Sequence, residues 1–206
     1  MKRAILIFGL AVSIGQTERL SAQEDPWAGT PQKAFFESKI IEIYQCTTCH
    51  TVAGSGGTVG PILDRVGIRR EEEWLRRWLK DPGSIKTGTK MPKFDFTPEE
   101  FDQVVEHLTN MKLPLRTNEI LSKPISETEQ GALLFEDYDC LACHRIGSEG
   151  RFVGPNLTWV GSRKEPAWET VWLHDPNAWK PGTFMPNFNL PKAANQALTA
   201  FLHTLQ

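Results

Sequence analysis

The chain has 206 residues, 40% of them hydrophobic, with 23 Lys and Arg against 25 Asp and Glu and a formal net charge of −2. That balance leaves no basic stripe, which excludes a nucleic-acid binder. The length suits one or two small domains, each near the lower limit for an independent core.

Residues 1–22 read as an export signal, with Lys2 and Arg3 ahead of the mostly apolar run Ala4 to Gly15. The run is too short for an ordinary membrane span. Leu20-Ser21-Ala22 puts a large residue where a cleavage site prefers a small one. The segment is therefore expected either to be removed or to stay as a membrane anchor, and either outcome places the rest in the periplasm.

A first helix is expected over about 32–45, its apolar face made by Phe35, Phe36, Ile40, Ile41, Ile43 and Tyr44. It runs into Cys46-Thr47-Thr48-Cys49-His50, and a glycine-rich stretch with Gly54, Gly56, Gly57 and Gly60 follows. Trp74, Leu75, Trp78 and Leu79 mark one face of a helix over about 71–80, which Asp81-Pro82 stops. A Pro- and Gly-rich, non-regular loop then leads to Met91. Thr97-Pro98-Glu99-Glu100 is a capping box opening a helix that buries Phe101, Val104, Val105, Leu108 and Met111.

Residues 112–124 hold two prolines and read as a linker of moderate stiffness. The same order then recurs. A helix over about 127–139 precedes Cys140-Leu141-Ala142-Cys143-His144, and a helix over 166–174 precedes the loop to Met185. A last helix carries Ala194, Ala197, Leu198, Phe201, Leu202 and Leu205 on one stripe. No alternating run long enough for a strand occurs. The expected fold is all-α with two tandem domains, 30–111 and 125–206, carrying net charges of −1 and −3.

The two halves are copies. A shift of 94 residues aligns 23 of the 49 positions from Cys46 to Phe94 without a gap. Gly60-Pro61 falls on Gly154-Pro155, Trp78 on Trp172, Gly88-Thr89 on Gly182-Thr183 and Met91-Pro92 on Met185-Pro186. All four cysteines lie in the two Cys-x-x-Cys-His pentapeptides, the attachment pattern of a c-type haem. Cys46 and Cys49, and likewise Cys140 and Cys143, can each bond two vinyl groups of one porphyrin, and His50 and His144 then point at the iron. A dithiol does not need the histidine. A four-thiolate zinc site would leave both histidines unexplained. A methionine is ordinarily core filler, but only Met91 and Met185 repeat, each 41 residues after its histidine. They are the expected second axial ligands, and thioether ligation raises a haem's reduction potential.

On Cys-x-x-Cys-His, Gly-Pro-x-Leu, Trp78-Leu79-x-Asp81-Pro82 and Thr87-Gly88-Thr89-Lys90-Met91, each half resembles a class I cytochrome c. The whole resembles the tandem dihaem cytochromes of bacterial periplasms. The resemblance implies two covalently bound haem c groups. It implies that the carbonyls of Pro61 and Pro155 accept a hydrogen bond from the ligand histidines. It also implies that Thr89 and Thr183 touch a haem propionate. Many relatives carry a tyrosine near the methionine sulphur; here Trp78 and Trp172 stand there. Their indole N–H is the only polar handle, and donation to sulphur and packing against the porphyrin both remain open.

The expected function is one-electron transfer in a periplasmic respiratory chain. The partners would be a quinol-oxidising complex and a terminal oxidase or reductase. The chain would serve as a soluble carrier or as the cytochrome c subunit of a membrane complex, and not itself as an enzyme. The alternative is a dihaem enzyme such as a cytochrome c peroxidase, which needs one iron with an open position and is opposed by the paired methionines. The charges of Arg69-Arg70, Glu71–Glu73 and Arg76-Arg77 are expected on a solvated helix with local ion pairs. His107, His174 and His203 have no repeat counterparts and are expected at the surface or its edge.

Overall fold

The computed structural model describes residues 25–206; the export-signal segment lies outside them. In the first copy, helices α1 (Pro31–Phe36) and α2 (Lys39–Tyr44) lead to a one-turn 3₁₀ helix, Cys46–Thr48, that carries the first attachment site. Helices α3 (Val66–Arg69), α4 (Glu72–Lys80), α5 (Pro82–Ile85) and α6 (Pro98–Asn110) complete it. Helix α7 (Thr117–Leu121) follows. The second copy has α8 (Glu127–Asp137), the 3₁₀ turn Cys140–Ala142, α9 (Val160–Arg163), α10 (Pro166–His174), α11 (Pro176–Trp179) and α12 (Lys192–His203). The only strands among the described residues are two antiparallel pairs of two residues each, β1 (Thr51–Val52) with β2 (Ser55–Gly56) and β3 (Arg145–Ile146) with β4 (Glu149–Gly150). They are tight turns after each histidine. The fold is all-α, as expected.

Local chemistry explains the element ends. Thr97 Oγ1 accepts from the Glu100 N–H and the Glu100 carboxylate accepts from the Thr97 N–H, so the expected capping box is formed. Ser126 and Glu129 cap α8 the same way. Asp81 ends α4, and its carboxylate caps the next helical turn at Ser84. The stretch before each methionine is thus not wholly irregular: it opens with the one-turn helices α5 and α11.

Three further expectations need correction. The helix expected over 32–45 is broken: Glu37 closes α1 and Ser38, with extended backbone, opens α2. The Ser38 hydroxyl donates to the Phe35 carbonyl, which favours a turn over a continuing helix. Ala132 stands at the matching place in the second copy, and α8 is continuous there. The expected linker is also partly packed. Helix α7 buries Ile120, 1% exposed, in the second core, and the Arg116 N–H donates to the buried Asp137 carboxylate at 2.7 Å. Finally, Arg69 and Arg70 are not solvated, because both turn toward the second copy. The rest of the run behaves as expected: Glu71–Glu73 and Arg77 are exposed, and Arg76 pairs at the surface with Glu72 and Asp102.

Two apolar cores result. The first joins Phe35, Ile41, Leu75, Leu79, Val105 and Met111. The second joins Leu134, Phe135, Val160, Ala194, Leu198 and Leu202. In the second, α8 lies directly on α12, and any side chain at Gly131 would overlap the Ala197 carbonyl oxygen.

Between the cores, Arg65 pairs with Asp139 at 3.0 Å and Arg69 with Asp139 at 3.4 Å. Arg151 donates to Thr51 Oγ1 at 3.0 Å, and Lys86 donates to the Val153 carbonyl at 3.4 Å.

Candidate haem-binding sites

Each attachment site begins with a backbone device that the motif alone did not disclose. Gln45 (φ 50°) and Asp139 (φ 51°) occupy the left-handed region immediately before the first cysteine. This swings the chain out of the preceding helix and into the 3₁₀ turn. The turn brings the two cysteines of each pair onto one side, and the histidine follows with its N–H on the carbonyl of the first cysteine. The four thiols are unpaired. Burial pushes the Cys140 thiol up to about 12 and raises Cys46 and Cys143 as well. Thiols buried in this way do not suit a reactive dithiol nucleophile. Among the described residues, no three His, Cys, Asp or Glu side chains converge to hold a bare metal ion.

The imidazoles are held alike. His50 Nδ1 lies 2.8 Å from the Pro61 carbonyl oxygen, and His144 Nδ1 lies 2.9 Å from that of Pro155. A carbonyl only accepts, so Nδ1 carries the proton and Nε2 is left with its lone pair. Burial lowers the pKa of both rings, which keeps them neutral. Gly60 and Gly154 lie flat against the rings. A Cβ on Gly60 would stand 2.5 Å from His50 Cε1, and one on Gly154 would stand 2.8 Å from His144 Cε1.

The methionine side also repeats. Trp78 Nε1 donates to Met91 Sδ at 2.8 Å, and Trp172 Nε1 donates to Met185 Sδ at 3.0 Å. Of the two arrangements open for these tryptophans, donation to sulphur is the one present. Each indole also stacks on a second one turn earlier: Trp74 on Trp78 at 5.3 Å, and Trp168 on Trp172 at 5.4 Å. Thr89 Oγ1 accepts from the Met91 N–H at 3.2 Å, and Thr183 Oγ1 from the Met185 N–H at 3.4 Å. The threonines therefore hold the methionine loops and keep a hydroxyl proton to offer elsewhere. Gly88 and Gly182, at φ 74° and 75°, make the turn before them.

In the second copy Cys140, His144 and Met185 line one apolar cleft, walled by Leu157, Phe188 and Leu198 among others. An imidazole with a free Nε2, a thioether and a cysteine thus open on one apolar space, which is the donor set and lining that a covalently bound haem requires. In the first copy, Met91 and Cys46 likewise pack against the core containing Leu63 and Leu79. The remaining histidines stand apart. His174 is exposed, His107 lies against the Phe35 ring at 5.3 Å, and His203 is half-buried with its Nδ1 lacking a hydrogen-bond partner.

Comparison with known proteins agrees with this geometry. The family model for cytochrome c matches twice, over residues 32–112 and 128–206. Cytochrome c oxidase subunit 2 of Alkalihalophilus pseudofirmus is 23% identical over 205 residues, covering 93% of this chain and 57% of that protein. A nitric oxide reductase subunit of Paracoccus denitrificans is 31% identical over 114 residues, covering 50% of this chain and 75% of that one. The chain thus spans little more than half of the oxidase subunit. No solved structure matches at the stringency these relatives meet. With two complete Cys-x-x-Cys-His sites in two matched regions, the chain belongs to the cytochrome c family and carries two covalently bound haem c groups.

Proposed function

We propose that this protein carries single electrons in a periplasmic respiratory chain, as a soluble carrier or as the cytochrome c subunit of a membrane oxidoreductase complex. The observation that carries the reading is the twofold recurrence of one geometry: imidazole Nδ1 on a proline carbonyl and indole N–H on a methionine sulphur, with distances that agree within 0.2 Å between copies. In this reading His50 with Met91, and His144 with Met185, would hold the two haem irons. Cys46, Cys49, Cys140 and Cys143 form the thioethers. Pro61 and Pro155 fix the imidazoles, Trp78 and Trp172 draw electron density from the sulphurs, and Thr89 and Thr183 hold the loops. When bound, each haem supplies an iron that gains or loses one electron. Two donors from the chain to each iron would leave no open site for a substrate, which disfavours peroxidase chemistry.

The relatives are subunits of a terminal oxidase and of a nitric oxide reductase. They support an assembly of that kind as the electron acceptor, with a quinol-oxidising complex as donor. No helix among the described residues is long and apolar enough to cross a membrane. Membrane attachment would then come from the N-terminal segment or from a partner.

The test is the visible spectrum of the oxidised protein. Both haems should be low-spin and show the weak long-wavelength sulphur–iron band. A high-spin haem together with peroxide turnover would overturn the reading. Co-purification from membranes, with and without detergent, separates a free carrier from a bound component of a complex.

A further inference from the structure

The first copy's tryptophan stack is not free. Phe184, the residue before Met185, packs against it: its ring centroid lies 5.2 Å from Trp78 and 5.7 Å from Trp74, both at steep angles. Trp78 is the indole that donates to Met91 Sδ. An unbroken line of contacts therefore runs from Met91 sulphur through Trp78 and Phe184 to the backbone of Met185. Two cations clamp it. The Arg70 guanidinium carbon sits 4.1 Å from the Trp74 ring and 5.0 Å from the Phe184 ring, and the same guanidinium donates to the Phe184 carbonyl. Lys86 Nζ lies 4.7 Å from the Phe184 ring. Arg70 has no carboxylate partner among the described residues, so two π-faces and one carbonyl are what hold it.

The repeat shows that this is an addition to the fold. The position matching Phe184 in the first copy is Lys90, and among the described residues the second copy's stack of Trp168 and Trp172 meets a cation, Lys164 at 4.4 Å from Trp168 (the counterpart of Arg70), but no third aromatic ring. Neither methionine loop needs an aromatic residue there to form its own turn, because Gly88 and Thr89 do the same work as Gly182 and Thr183. The aromatic ring serves the joint between the copies.

We propose that Phe184 is the positioning residue that seats the second methionine loop on the Trp74–Trp78 stack and so couples the two methionine sites electronically. The proposal rests on the reading of Met91 and Met185 as ligands. Its consequence is internal electron exchange: one electron leaves a ferrous centre and arrives at the other, ferric centre, with no bond made or broken and no proton moved. Arg70 and Lys86 hold Phe184 in place, and the ion pairs of Asp139 with Arg65 and Arg69 keep the copies from separating.

The experiment compares the full two-haem protein with Phe184→Ala, Phe184→Lys and Phe184→Tyr. After a rapid one-electron pulse, the redistribution of the electron between the haems is followed optically, and solution scattering reports the spacing of the copies. Electron exchange between fixed centres weakens steeply with their separation, so redistribution in Phe184→Ala and Phe184→Lys should slow severalfold while both sulphur–iron bands persist, and Phe184→Tyr should restore it. Phe184→Lys should also give a larger radius of gyration, since a third cation joins Arg70 and Lys86. Should neither variant mature, Arg70→Gln removes the clamp without substituting a residue of the methionine loop, and the same slowing is expected. Unchanged redistribution and unchanged scattering in matured variants would overturn the proposal while leaving the ligand reading intact. A wild-type protein that lacks the band at either haem would instead overturn the ligand reading on which it rests.

Discussion

Glu169 offers a stability test that the repeat itself supplies. It is 2% exposed, and neither carboxyl oxygen has a hydrogen-bond partner. The charged groups that act on it are Glu165, at the N-cap position of α10, and His203 on α12. Burial pushes its pKa above 4.5; nearby His203 opposes the shift and Glu165 adds to it. The first copy carries Leu75 at the same place, also 2% exposed. Leaving a buried polar group unpaired costs about 1–3 kcal/mol, and a fully buried leucine contributes about 1.5–3 kcal/mol by transfer. Glu169→Leu should therefore stabilise the second copy, by about 2 kcal/mol after imperfect repacking. That corresponds to roughly 8–16 °C for a domain of this size.

The pH dependence has a definite sign. Below the ordinary glutamate value the carboxyl is neutral both folded and unfolded, so the wild type loses nothing to ionisation. As pH rises from 4.5 through the raised native value, only the unfolded chain ionises freely and the wild type loses stability. The advantage of Glu169→Leu should thus grow from about pH 4.5 toward neutrality and then level off. Denaturant unfolding of the oxidised protein over that range, followed by circular dichroism, measures it. A variant less stable than wild type at every pH would show that Glu169 has an essential polar partner and would refute the reasoning.

Trp78→Phe keeps the ring stack but removes the donor to Met91 Sδ, so more sulphur electron density reaches the iron. The potential of the first haem should fall by tens of millivolts, about 1 kcal/mol for one lost hydrogen bond, with the second nearly unmoved in a potentiometric titration. Gly60→Ala places a methyl group 2.5 Å from the His50 ring and should displace the imidazole. Haem stain and spectrum should then show one low-spin centre in place of two. Thr97→Ala removes the oxygen that caps α6 and should cost about 1 kcal/mol of unfolding free energy, read as a lower denaturant midpoint with both spectra unchanged.

The sequence was most informative where chemistry is local or repeated. The capping box at Thr97, the stop at Asp81-Pro82, the amphipathic face of α4 and the proline carbonyls opposite His50 and His144 all follow from spacing, or from a resemblance carried by spacing. The donor role of Trp78 and Trp172 was half legible: a repeated indole beside a repeated thioether is a pair, but a sequence does not say which way a ring turns. The break at Ser38 was legible in principle, since a serine hydroxyl competes for the helix's own carbonyls and Ala132 in the other copy does not. The joint between the copies was not legible. Arg69 and Arg70 belong to a charge-rich run that reads as solvent-facing, and their partners lie 70 and 114 residues away. Nothing in a charge pattern distinguishes an arginine that meets water from one that meets a phenylalanine of another domain. Glu169 is similar: alignment with Leu75 marks it as unusual, but only packing shows that its carboxyl is buried without a partner.

The most direct test is a redox titration of the two-haem protein with Met91→Ala and Met185→Ala, read with the long-wavelength sulphur–iron band of the oxidised state. Each substitution should remove about half of that band and lower one potential while leaving the other nearly in place, with opposite haems affected by the two variants. A variant that keeps the full band and both potentials would contradict methionine ligation at that haem, and with it the picture of two closed electron-transfer centres.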